Sequence, residues 1–161
     1  MRAREPAKRF RREREAVRVW LSDRRFTHFV TLMLNCPYAG RDHVKHRLRD
    51  WDARMNREIV GPKWLRRSDR RMQWIAFPEK LEANPHWHLC LEVLPEQETK
   101  LGARGGLARL VDRVWLDLVP SGTTDTKAWR DDGALRYATK QLDDPRNYEM
   151  FVHVQEFIRV S

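Results

Sequence analysis

The chain predicts an α+β domain whose core runs strand, helix, strand, strand, helix, strand. Three observations carry that order. Residues 86–94 alternate in character from one side chain to the next, as an extended strand with two unlike faces does. Val44, Leu48, Trp51, Met55 and Ile59, and then Leu107, Leu110, Val111, Val114, Trp115 and Leu118, recur at steps of three and four. Pro and Gly stand between these stretches and separate them. Such a βαββαβ order is the split βαβ arrangement of ferredoxin-like or RRM-like folds. It predicts an antiparallel sheet with its first and third strands central, both helices on one face, and the other face open.

The elements follow in order. Residues 1–25 are crowded with Arg and Lys, and Phe10, Val17, Trp20 and Leu21 draw a thin apolar stripe through them, so a basic helical arm is expected whose last turns pack on the domain. Phosphate contact and a solvated arm are its two readings. A single domain is then expected over 26–161. Residues 26–34 read as the first strand, with Val30, Leu32 and Leu34 on one face and Thr31, Asn35, Phe29 and Met33 on the other. Asp42 is placed to cap the first core helix, which Gly61-Pro62 ends.

The basic loop 63–71 sets Lys63, Arg66, Arg67, Arg70 and Arg71 around Trp64. Cations interleaved with an aromatic ring suit a single-stranded nucleic acid, backbone on the charges and base on the ring; an ordinary surface loop is the other reading. Residues 72–77 form the second strand, ending at Pro78-Glu79, and a short turn joins it to the strand of the His pair as an antiparallel hairpin. Gly102 and Gly105-Gly106 lead into the second core helix, and 123–129 is a short polar edge strand. Asp131 or Asp132 caps a third helix carrying Leu135, Tyr137, Lys140, Gln141 and Leu142, stopped before Pro145, and 151–160 adds a last strand.

A chain of 161 residues with 32 Lys+Arg against 23 Asp+Glu, net +9, is long enough for one real core and is attracted to polyanions, nucleic acid foremost. Two cysteines do not make a disulfide framework. The absence of a signal-peptide pattern or a long apolar run leads to the expectation of a cytoplasmic protein without membrane contact.

Two places carry chemistry. In Asn84-Pro85-His86-Trp87-His88 the strand puts both imidazoles on the face opposite Trp87, where their nitrogens converge on one point above the sheet, a geometry suited to a divalent metal. The plainer reading makes them polar residues of a solvated face, and a zinc site that adds Cys90 is a third. On the late helix Tyr137 shares a side with Lys140 and Gln141, and roughly with Asp144. A phenol is a poor nucleophile at neutral pH unless a cation stabilises the charge it develops. His28, His43, His46 and His153 have no partner at ligand spacing.

Taken together, Phe29-Val30-Thr31-Leu32-Met33-Leu34-Asn35, His86-Trp87-His88 and Tyr137-x-x-Lys140 resemble, in that order, the three motifs of the HUH endonucleases, specifically the rolling-circle replication initiators. Met33 stands where that family often has threonine. The resemblance implies Mg²⁺ or Mn²⁺ held by His86, His88 and a third ligand, with Tyr137 attacking a phosphate of single-stranded DNA at an origin or hairpin to leave a 5′-phosphotyrosine and a free 3′-OH. It makes Glu79 the first choice for third ligand and Glu82 the second, while Gln141 matches the position used by single-tyrosine transposases of the superfamily, and Asp144 could approach from the helix end. Lys140 would offset charge beside the phosphate, and Thr31, Asn35 and the basic loop would hold DNA. Since no Gly-x-x-x-x-Gly-Lys-Ser/Thr loop is present, a host helicase would unwind the duplex. A transposase, or a noncatalytic nucleic-acid-binding module on the same sheet, are the alternatives.

Overall fold

The computed structural model describes residues 4–37 and 39–157. Strands β1 (His28–Met33), β2 (Gln73–Glu79), β3 (His86–Glu92), β4 (Thr123–Ala128) and β5 (Val152–His153) form one antiparallel sheet in the order β4-β1-β3-β2-β5. Helices α1 (Arg4–Ser22), α2 (Arg41–Ile59), α3 (Pro95–Gly102), α4 (Gly106–Leu118), α5 (Gly133–Ala138) and α6 (Pro145–Tyr148) complete an α+β architecture. None of the described helices is long and apolar enough to cross a membrane.

The period-two alternation of the strands sorts their side chains. Val30 and Leu32 of β1, Trp74 and Ala76 of β2, and Trp87, Leu89 and Leu91 of β3 share one core with the apolar stripes of α2 and α4. Trp51, Trp74, Trp87 and Trp115 are fully buried there. Each removes about 150–250 Å² from water, roughly 4–6 kcal/mol of transfer free energy before the cost of ordering the chain. Trp115 Nε1 also donates to the Met33 carbonyl at 2.8 Å, tying α4 to the end of β1.

The expectation of an open second face, with helices on one side only, is corrected. Val17 and Leu21 of α1 and Leu135, Ala138 and Leu142 in and after α5 cover Ile75, Phe77 and Cys90. Three apolar side chains side by side on that face lose too much by staying in water, so helices close over them. What the helices leave is a cavity at the end of the sheet where β1 and β2 finish and β3 begins, lined there by Met33, Glu79 and His86.

Several boundaries also shift. β2 continues through Pro78 to Glu79. The missing N–H of Pro78 is harmless there, because β5 reaches β2 only at Ile75 and Ala76. Gly40, not Asp42, is the N-cap of α2, and no side chain caps it. α3 has no counterpart among the expected elements, because with only Gln97 and Leu101 buried it carries no apolar stripe. The third helix stops at Ala138, and Pro145 opens α6 instead of ending anything, with Asp144 accepting from Arg146 N at 3.0 Å as its N-cap. Asp132 sits at the N-cap of α5 without a side-chain bond, and Asp131 Oδ1 accepts from Gly133 N at 2.8 Å. The expected last strand shrinks to β5 plus a 3₁₀ turn at Val154–Phe157; its residues 158–160, like residues 1–3 of the arm, lie outside the described residues.

Candidate metal and tyrosine site

Strand register assembles the site. In the β2–β3 ladder Glu79 lies opposite His86 and Phe77 opposite His88, while in the β1–β3 ladder Thr31 lies opposite His88 and Met33 opposite His86. Directly opposed and diagonal side chains on one face are neighbours, so Glu79 meets both imidazoles. Its Oε2 is 2.6 Å from His86 Nε2 and 2.5 Å from His88 Nε2. The three residues are buried and each offers a ligand atom, all within 4.8 Å of one another. They form a group able to hold a metal ion.

Hydrogen bonds on the far side of the rings explain why the set fits a cation. His86 Nδ1 lies 2.9 Å from the Asn84 carbonyl, which can only accept, so Nδ1 carries the proton and a neutral ring turns the Nε2 lone pair toward Glu79. A lone pair facing a carboxylate oxygen is unfavourable unless positive charge lies between them, as a proton or a metal ion. His88 Nδ1 pairs with Thr31 Oγ1 at 3.1 Å, so Thr31 orients an imidazole.

Charge in the group is arranged accordingly. Burial pushes the Glu79 carboxyl up, but hydrogen bonds from Lys140, from His88 and, whenever its Nε2 also carries a proton, from His86 outweigh it and hold its pKa down at about 2. Burial holds the His88 imidazole below its ordinary range against the pull of Glu79, which favours the neutral, metal-binding ring. Lys140 Nζ takes the other oxygen of Glu79, Oε1, at 2.6 Å. Desolvation works to lower the Lys140 pKa, yet Glu79 and then Tyr137 leave it raised, so it is a cation at neutral pH.

The structure also brings Tyr137 here. Its ring centroid is 5.2 Å from that of His88 and 6.2 Å from that of Phe29, and the Lys140 ammonium lies 3.9 Å from it. Tyr137 is half exposed. A cavity of about 930 Å³ opens in front, lined by Phe29, Thr31, Met33 and the metal group, by Lys80, Lys127, Arg130, Tyr137 and Lys140, and by Asp125 and Asp131, with Lys127 paired to Asp125 at 3.0 Å. Lys127 and Arg130 were missed in the sequence, where 123–129 reads only as a polar edge. Pairing of Phe29 with Lys127 is what puts that lysine beside the site.

Other candidates lie elsewhere. Gln141 Oε1 accepts from Lys80 N at 3.3 Å, one residue along the chain from Glu79, and so holds a turn in which Lys80 has φ 51°. Glu82 is exposed and pairs with Arg146 at 2.6 Å. Asp144 also pairs with Arg146, at 2.9 Å. Cys90 is in the apolar cluster, where burial raises its thiol pKa, and stays outside the metal group. Asn35 leaves β1 at φ 53°, is exposed, and anchors the loop through its amide, which donates to Ser121 O at 3.0 Å and Thr123 Oγ1 at 3.2 Å.

The basic loop is corrected at Trp64 and Arg71. It enters β2 at Gln73 while the metal group is at Glu79, so the two are separated by the length of the strand, about 20 Å at roughly 3.3 Å per residue. Trp64 is buried with the Arg71 guanidinium 4.8 Å from its ring, and Arg71 Nη2 donates to Asp52 Oδ2 at 2.6 Å with both side chains 2% exposed. Neither Trp64 nor Arg71 is free to meet a nucleic acid. Arg70 pairs with Glu96 at 2.6 Å, while Lys63, Arg66 and Arg67 are exposed. Asp52 itself escaped notice, although Asp52 and Asn56 continue the buried stripe of α2.

Comparison of the chain with protein-family models, with curated proteins and with solved structures finds no match.

Proposed function

We propose that the chain is a metal-dependent, single-tyrosine endonuclease of the HUH type acting on single-stranded DNA. The observation that carries this reading is the meeting of Glu79, His86 and His88 with Tyr137 and Lys140 at the mouth of one cavity. A ferredoxin-like core is part of the proposal: β1, α2, β2, β3, α4 and β4 in chain order, with β4-β1-β3-β2 adjacent in the sheet, support it.

Glu79, His86 and His88 would hold Mg²⁺ or Mn²⁺, the carboxylate supplying the hard oxygen and the negative charge that such ions prefer. The bound ion supplies Lewis-acid polarisation of the scissile phosphate. Tyr137 Oη forms a bond to phosphorus as the bond from phosphorus to the 3′-oxygen breaks. The phenolic proton ends on that oxygen, leaving a 5′-phosphotyrosine and a free 3′-OH; attack by a 3′-OH reverses the step and joins strands. The Lys140 ammonium beside the ring stabilises the phenolate as it develops. Lys80, Lys127 and Arg130 on the cavity walls take the backbone of the single strand in place of the loop 63–71.

Initiation of rolling-circle replication of a small replicon, with unwinding by a host helicase, is the biological role in line with this chemistry. Glu79, which already faces both imidazoles, is preferred to Gln141 of the transposase-type ligand set, whose amide oxygen accepts from Lys80 N. A noncatalytic sheet would not need a buried carboxylate aimed at two imidazoles. The test is incubation with a pool of random single-stranded oligonucleotides and Mn²⁺, followed by sequencing of what becomes covalently attached. Adducts that vanish with EDTA and with Tyr137→Phe support the assignment; adducts formed as well by Tyr137→Phe refute it.

A further inference from the structure

The nucleophile of the proposed reaction stands on a helix too short to hold itself. α5 has six residues, and isolated helices shorter than about 12–15 residues are marginal in water. Its last carbonyls must be bound by something outside it. We propose that α1, the basic N-terminal helix, is the clamp that fixes α5, and that Arg14 and Arg18 are positioning residues for Tyr137 and Lys140. This rests on the function proposed above and says how its site is kept in order.

The contacts are specific. Arg18 Nε donates to Thr139 Oγ1 at 2.8 Å and Arg18 Nη2 to the Arg136 carbonyl at 3.3 Å. Arg14 Nη1 donates to the Lys140 carbonyl at 3.2 Å and pairs with Asp143 at 3.2 Å. Thr139 is fully buried, and its hydroxyl in turn donates to the Leu135 carbonyl at 2.8 Å. Two guanidinium groups therefore bind the backbone on both sides of Tyr137, at the helix end where cations are favoured.

Spacing shows why these two arginines differ from their neighbours. Residues 14, 17, 18 and 21 fall at steps of three and four, so Arg14 and Arg18 share the face of α1 that buries Val17 and Leu21 against Leu135, Ala138 and Leu142. Both arginine side chains are only 20% exposed, whereas Arg11 and Arg12 face solvent. A residue that reads as one more positive charge of a DNA-binding arm is spent on protein carbonyls instead.

Single-turnover adduct formation with a saturating oligonucleotide taken from the pool separates the possibilities, using the full chain, Arg14→Ala, Arg18→Ala, the double variant, and Arg12→Ala as control. The clamp predicts a fall in the chemical rate on the order of 10²-fold in the double variant, as expected for a displaced nucleophile. Oligonucleotide Kd and Mn²⁺ affinity then change by less than about 3-fold, and Arg18→Lys restores part of the rate. If α1 contacts phosphate instead, Kd rises, the salt dependence flattens by about 0.7 per lost cation, and the rate at saturation holds; that result overturns the proposal. Should the double variant not fold, Arg18→Lys and Arg18→Ala decide it by the same split. Should the wild type form no adduct, the chemistry falls while the clamp is still read by amide exchange over 133–142, where faster exchange in the double variant supports it and unchanged exchange overturns it.

Discussion

Among the described residues two carboxylates are buried, Asp52 and Glu79, one on each face of the sheet, and their surroundings teach how a fully satisfied charge differs from one that could hold a cation. Asp52 on α2 receives only donors: Asn56 Nδ2 at 2.9 Å, Trp74 Nε1 at 2.8 Å and the Arg71 guanidinium at 2.6 Å. Asn56 Oδ1 then accepts from Met72 N at 3.0 Å, so the network closes on itself. Glu79 instead faces two imidazole nitrogens, one of them left as a lone pair by its own hydrogen bond to a carbonyl, and looks into a cavity. One carboxylate has every need met; the other has acceptors to spare. Surplus acceptors at an accessible point are what a cation requires.

The contrast is tested first where the expected effect is largest. Tyr137→Phe and His88→Ala should each remove adduct formation below detection in the oligonucleotide assay, and His88→Ala should also lose Mn²⁺ binding by titration. Asp52→Ala should do the reverse. It leaves the Arg71 charge buried without a partner and should cost about 3–5 kcal/mol in urea unfolding, while the folded fraction keeps its Mn²⁺ affinity. Replacing the pair together, Asp52→Leu with Arg71→Met, should recover much of that loss.

Acid unfolding sharpens the comparison. Glu79 is held at about 2 against an ordinary 4.5, so its ionised form stabilises the metal-free protein fully above pH 4.5, and that contribution disappears as pH falls through about 2. The displacement is worth on the order of 3 kcal/mol. In EDTA, Glu79→Gln should flatten the pH dependence of stability across that window, as read by circular dichroism. Metal should act on one carboxylate only: Mn²⁺ at about 100 times its Kd should stabilise the wild type and Asp52→Ala by roughly 2.7 kcal/mol and leave Glu79→Gln unmoved. The smallest effect is expected from Lys63→Ala, Arg66→Ala and Arg67→Ala, which should change oligonucleotide Kd less than Lys127→Ala or Arg130→Ala, since the loop is a strand length from the metal group.

How much of this is legible without coordinates differs residue by residue. The His86-Trp87-His88 alternation puts both rings on one side because a strand has period two. A helical period of 3.6 puts Tyr137 and Lys140 on one side, and although α5 ends at Ala138 the turn after it, in which Lys140 N donates to the Tyr137 carbonyl at 3.3 Å, keeps them together. Glu79 is reached only through the family resemblance, which expects a carboxylate on the strand before the His pair. Arg71 and Trp64 mislead, since composition sees their charge and ring but not that Asp52, nineteen positions earlier in the chain, claims the guanidinium. Arg14 and Arg18 mislead for the same reason, being counted with an exposed arm.

The amino-acid order by itself determines local matters here: an α+β composition of elements, the side of each strand on which a residue falls, and the pairs that a helix brings together. These depend on backbone periods that any stretch of the right pattern shares. Which end of the sheet holds the chemistry, which cations are sequestered, and which helices close over the second face were decided only in three dimensions. Each depends on strand register and on partners distant in the chain, and a burial that satisfies one charge and strands another has no signature along a line of letters.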